Sequence, residues 1–177
     1  MLSLVMATPD TFVKSRFPTP IGTMLVVTDE RERLRALDWE DYEARMLRLL
    51  GTHSGLRGVV LVDGETPLSV RRPLEAYFEG ELGAIESLSV ETGGTAFQRA
   101  VWAALRAIPA GETLSYGGLA RRIARPSAVR AVGAANGANP VGVVVPCHRV
   151  IGADASLTGY AGGIERKRWL LSHEGAI

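Results

Sequence analysis

Pro146-Cys147-His148-Arg149-Val150 puts a thiol, an imidazole and a guanidinium on three consecutive residues. Cys147 is the only cysteine in the chain, so no intrachain disulfide can form and a four-thiolate zinc site is excluded. A lone cysteine is ordinarily an inert core residue. Here its neighbours point the other way. The thiolate is the nucleophile, and positive neighbours with a general base favour it. His148 is the candidate base, and a base needs a group to orient it. Glu174, just beyond a helix expected over Glu165–His173, is the candidate for that role. His53, His148 and His173 lie too far apart for a familiar ligand spacing, so neither a metal nor a cofactor is expected.

The elements around this cluster read as a mostly helical unit. Thr95 followed by Gln98 is a capping-box pattern, opening a helix whose apolar face is Phe97, Val101, Ala104, Leu105 and Ile108. Pro109-Ala-Gly111 ends it. Ser115–Ile123 is a short helix, Ala124-Arg-Pro126 a tight turn, and Ser127 is placed to cap a further helix reaching about Asn136. Two short helices joined in this way suggest a helix-turn-helix. The second reads Ala128-Val-Arg-Ala-Val-Gly-Ala-Ala-Asn136, with Arg130 its one charge. A sequence-specific reader offers Asn, Gln, Arg or Glu to base edges. This helix therefore either packs through its alanines as a buried element or approaches DNA with little sequence choice. Asn139–Val145 follows as a buried-strand candidate, ended by Pro146 before the thiol.

Upstream the pattern changes. Phe12–Glu40 reads as strands, with a turn at Phe17–Gly22, a β-prone run Met24–Thr28 and a short strand near Leu34–Trp39. Glu43–Leu50 reads as a helix stopping at Gly51, and Ser69–Phe78 as an amphipathic helix interrupted by Pro73. Gly80–Gly94 has no long periodic segment. Charge also changes there: residues 1–90 carry 10 Lys/Arg against 14 Asp/Glu, residues 91–177 carry 10 against 5. The expected organisation is α+β: a small α/β unit with an antiparallel sheet over 1–90, then a mostly helical unit over 91–177, whose positive excess fits either an anionic partner or simply a solvated face of different composition. No run approaches the roughly 20 apolar residues of a membrane span. The opening MLSLVMATPD lacks the basic segment of a secretory leader, so a cytoplasmic protein is expected.

The chain resembles the O6-alkylguanine-DNA alkyltransferases, the bacterial type most closely. The resemblance rests on Pro146–Val150 together with Asn139-Pro140 and Gly159-Tyr-Ala-Gly-Gly163. It extends over Phe97-Gln98, Val101-Trp102, Ile108-Pro109, Gly111-Glu-Thr113, Ser115-Tyr116, Arg130–Gly133, Trp169–Leu171 and His173–Gly175. It implies a monomer that binds double-stranded DNA, flips an alkylated guanine through the minor groove and takes the alkyl group irreversibly onto its own cysteine, with O4-alkylthymine a further substrate. Residue by residue it implies that Cys147 is the acceptor, His148 the base acting through a water, and Glu174 the acid orienting it. Asn139 would support the cysteine's turn, and Tyr116 would hydrogen-bond the guanine ring. Arg130 would fill the gap left by the flipped base, with Ala128, Ala131, Gly133 and Ser115 on the DNA-facing surface. Val150, Tyr160, Ala161 and Lys167 would line the pocket, Val150 through its carbonyl.

Extrusion is required because the target atom is inaccessible inside a stacked duplex. A lesion can occur in any sequence, which suits a nearly featureless reading helix. Gly142 stands where some members carry a proline, and Ala161 where some carry serine, which bears on the size of alkyl group admitted. Three rivals were weighed. A damage sensor without transfer would carry another residue in place of Cys147. A cysteine hydrolase would need an oxyanion hole. A plain DNA-binding regulator would need a richer reading helix.

Overall fold

A computed structural model describes residues 8–53 and 58–177. The leader reading of the first residues thus lies largely outside the described part. The first unit is built on a four-stranded sheet in the order β3-β2-β1-β4. β1 (Asp10–Thr19) and β2 (Gly22–Thr28) form a hairpin in register Phe17↔Met24, and β3 (Leu34–Trp39) pairs antiparallel with β2. Gly22 closes the hairpin at φ 124°, a conformation that a side chain would strain. β4 (Val59–Asp63) was not foreseen. It adds to β1 in parallel, so the sheet is antiparallel across three strands and mixed at its edge.

Strand alternation sorts the apolar residues onto two faces. Leu25, Val27 and Ala36 pack with Phe12, Met46 and Leu50 beneath α1 (Glu43–His53). Met24, Val26, Leu37 and Trp39 face the other way, into a core shared with α2 (Leu68–Phe78) and with the second unit. α1 does not stop at Gly51 but continues through His53. Pro73 sits inside α2 rather than in its first turn, where it removes one backbone donor.

The second unit begins with α3 (Ala96–Arg106). The Thr95 hydroxyl accepts from the Gln98 backbone, while the Gln98 side chain accepts from the Thr95 backbone. β5 (Leu114–Ser115) leads into α4 (Tyr116–Arg122), capped by Ser115. After a turn with Ala124 at φ 58° comes α5 (Val129–Gly137). Ser127 does not cap α5: Ala128 holds the cap position and no side chain serves it. Asn139–Val145 is buried but is not a strand. It makes one isolated bridge, Leu37↔Val141, and otherwise turns back on itself. A 3-10 turn over Cys147–Arg149 then enters β6 (Val150–Ile151), parallel to β5, and α6 (Ile164–His173) closes the chain. No helix among the described residues is long and apolar enough to cross a membrane.

Candidate active site

Local folding explains where the thiol sits. Pro140–Val145 is too rich in turns to extend, and Val143 lies at φ 68°, an outlier for a β-branched residue that costs about 1–3 kcal/mol. Two anchors hold it there. Asn139 bonds both limbs of the turn: its Nδ2 donates to the Val145 carbonyl at 2.7 Å, and its Oδ1 accepts from the Val141 N–H at 3.0 Å. Leu37 of β3 clamps the same segment, donating to the Pro140 carbonyl at 3.0 Å and accepting from the Gly142 N–H at 2.8 Å. The Cys147 N–H donates to the Val145 carbonyl at 2.8 Å, so the turn sets the cysteine directly.

Cys147 is 7% exposed and packs in the main core. Burial pushes its thiol up, against the lowering pull of the Arg45 and Lys167 charges. The thiol is therefore protonated at rest. This corrects the expectation that His148 and Arg149 favour the thiolate by proximity. Arg149 instead turns inward, where Nε and Nη2 donate to the two oxygens of Glu174 at 3.0 and 2.8 Å, and Nη1 donates to the Ile108 carbonyl at 2.6 Å.

His148 is wholly buried, and its Nε2 lies 2.8 Å from Glu174 Oε1. Burial opposes the charge on Glu174, but its bonds to His148 and Arg149 win and hold the carboxyl well below the usual range. An ionised acceptor at 2.8 Å places the imidazole proton on Nε2, leaving Nδ1 as the basic nitrogen. Burial pushes His148 down from 6.5 despite Glu174, so the ring is neutral at neutral pH. Nδ1 is buried and has no partner among the described residues. Tyr77 of α2 also donates to Glu174 Oε1, at 2.7 Å, and burial raises its phenol. Sequence reasoning missed both Tyr77 and the role of Arg149. Tyr77 lies 97 positions from Glu174, and no local pattern links them.

The other expected pocket residues gather around the thiol. Burial raises the hydroxyls of Tyr116 and Tyr160, so both stay protonated. Tyr116 donates to the Thr158 carbonyl at a long 3.5 Å. Tyr160 is bonded by the side chain of Trp39 from β3, and partly buried Ala161 follows it. Lys167, fully buried, donates to the carbonyls of Val150 at 2.6 Å and Thr158 at 2.8 Å.

The residues expected to face DNA lie on α5 and at the caps of α4 and α5. Arg130 and Ala131 are exposed, Ala128 and Gly133 half-buried, while Val132, Ala135 and Asn136 pack inward. Gly133 rests against the Tyr116 ring, 3.8 Å from where its Cβ would stand. Ser115 uses its hydroxyl oxygen to cap α4, accepting from the Gly118 N–H at 3.0 Å, and only its proton remains free for a phosphate. A cleft of about 630 Å³ in the first unit, lined by Lys14, Arg16, Glu40, Glu43 and Arg71 among others, does not include Cys147.

A buried thiol next to a histidine fixed by an ionised carboxylate, on a unit whose helix α5 exposes Arg130, is an arrangement suited to nucleophilic cysteine chemistry. Two family models make the class specific. Residues 12–92 match the 6-O-methylguanine DNA methyltransferase ribonuclease-like domain, and residues 96–176 match the DNA binding domain of the same name. The chain belongs to the 6-O-methylguanine DNA methyltransferase family. It is 53% identical over 165 residues to the methylated-DNA–protein-cysteine methyltransferase of Salmonella typhimurium, covering 93% of this chain and 96% of that one. The Haemophilus influenzae protein of the same name is 41% identical, at 89% and 83% coverage. Among solved structures, Mycobacterium tuberculosis OGT in complex with DNA superposes with TM-score 0.76 at 39% identity, covering 93% of both chains.

Proposed function

We propose that this protein repairs DNA by direct reversal, transferring the alkyl group of O6-alkylguanine to Cys147 once per molecule, and that O4-alkylthymine is a further substrate. The carrying observation is the buried His148–Glu174 pair at 2.8 Å, on the residue next to the buried thiol of Cys147. On this reading the thiolate forms when substrate is bound. His148 Nδ1 takes the thiol proton through one water. The sulfur attacks the alkyl carbon, the C–S bond forms as the C–O6 bond breaks, and the electron pair leaves on the guanine. Tyr116, kept protonated by burial, hydrogen-bonds the ring as that charge develops. Asn139 holds the turn, Lys167 fixes the Val150 and Thr158 carbonyls, and Tyr160 and Ala161 form the pocket wall.

The second unit, residues 91–177, is read as a helix-turn-helix domain on which α5 enters the minor groove. The flipped base passes to the pocket, and Arg130 occupies its place. Residues 1–90 are read as the supporting domain. Incubation with duplex DNA carrying radiolabelled O6-methylguanine tests this reading. One equivalent of label should reach the peptide containing Cys147, and transfer should then stop. Cys147→Ser should abolish transfer while retaining lesion binding. Sustained turnover, or label on another residue, would refute the reading.

A further inference from the structure

The C-terminal end of α5 is closed by two side chains from outside the helix, one of them from the first unit. A helix leaves its last four carbonyls without intrahelical partners. Here the Ala138 N–H serves Ala134 at 3.0 Å, and the Asn139 N–H serves Asn136 at 3.3 Å. Trp102 Nε1 donates to the Ala135 carbonyl at 2.9 Å. Arg45 Nη2 donates to the Gly137 carbonyl at 2.6 Å and to the Asn139 carbonyl at 3.2 Å.

Arg45 is itself fixed. Its Nη1 donates to Asp38 Oδ2 at 2.6 Å, and Asp38 is buried and accepts from the Trp39 N–H at 2.8 Å. The end of α1 is equally fixed, since a Cβ on Gly93 would stand 2.1 Å from the His53 carbonyl oxygen. A guanidinium at a helix C-terminus also complements the negative end of the helix dipole.

We propose that Arg45 is a positioning residue: it makes α1 the C-terminal cap of α5, and so sets the pose in which α5 presents Arg130 to DNA. This rests on the repair reading for its functional consequence but not for its structural one. Asn139 bonds the cysteine's turn through its own side chain, so loss of Arg45 should disturb the helix pose more than the thiol. The Arg45 and Asp38 charges act on Cys147 in opposite directions, so the neutral double variant Asp38→Asn/Arg45→Met removes the clamp without leaving a carboxylate unpaired.

Two measurements test the proposal. Hydrogen exchange of the backbone amides over residues 134–139 should speed up by about ten-fold or more in the double variant, while α3 stays protected. Single-turnover transfer at saturating protein, from a duplex carrying O6-methylguanine, should slow about ten-fold, or 1.4 kcal/mol of barrier. Transfer from free O6-methylguanine base should change less than about two-fold, since nothing is extruded. Arg45→Lys, whose point charge reaches a carbonyl without the planar fork, should recover part of the duplex rate. Unchanged exchange would overturn the proposal, and so would equal losses on duplex and free base. If the wild-type protein transfers nothing, the repair reading fails, and the exchange measurement still decides the role of Arg45.

Discussion

Glu174 takes four hydrogen bonds from three side chains, His148, Tyr77 and Arg149, drawn from both units. Removing one partner of a buried ionic cluster leaves its neighbours uncompensated, at about 3–5 kcal/mol. Glu174→Gln should therefore destabilise the protein by that order and slow transfer by about 100-fold, because the imidazole loses its orienting charge. Urea unfolding and single-turnover rates check the two effects separately. The pH dependence follows from the same cluster. His148 is depressed below 6.5 by burial, so the fold favours the neutral ring, and its contribution to stability is lost as pH falls below 6.5. Glu174 is depressed below 4.5, so its contribution is present above 4.5 and is lost as pH falls further. Stability and transfer should both hold from neutral pH down to about 6.5 and decline only on the acid side of it. A decline beginning above 6.5 would contradict a neutral buried base.

At the scale of elements, α5 separates positioning from chemistry. Flipping a base costs a few kcal/mol of stacking and pairing. Arg130→Ala should slow duplex repair about ten-fold at saturating protein, yet leave the free-base rate nearly unchanged. Full recovery at saturation would reduce Arg130 to a phosphate contact. Capping offers a paired comparison. Thr95→Ala breaks a complete capping box and should cost about 1 kcal/mol, whereas Ser127→Ala touches no cap and should cost almost nothing in thermal unfolding. These elements also mark what the sequence could reveal. α3, α4 and the β1–β2 hairpin carry local signals, namely caps, periodicity and a glycine turn, and stand close to where those signals put them. β4 is stabilised by pairing with β1, far away in the chain, and nothing in its own five residues announces the parallel register. Asn139–Val145 has the apolar composition of a strand, but Asn139 and Leu37 bend it into a turn. α1 outruns Gly51 because its last turn docks on Gly93. The pairing of His148 with Glu174 was legible in the sequence and is present at 2.8 Å, while the inward turn of Arg149 depended on a partner no local pattern supplies.

Over the whole molecule, the two units share one core. Phe17, Met24, Leu37 and Tyr77 from the first unit pack in the same cluster as Val101, Leu119, Val132 and Leu170 from the second. Calorimetry should accordingly give a single cooperative transition, not two. Cys147 belongs to that cluster. On the proposed function, the atom that would receive the alkyl group is thus a core atom, and each repair event would be chemically a small-to-large substitution in a packed interior. Interiors tolerate added carbon poorly, at about 1–3 kcal/mol for overpacking. The alkylated protein should melt several degrees below the unreacted one, by about 2–4 °C per kcal/mol at this chain length. A bulkier alkyl group should lower the midpoint further. On that reading the damage removed from the DNA would be written into the protein as lost stability, and any process that samples open states would find the spent molecules first.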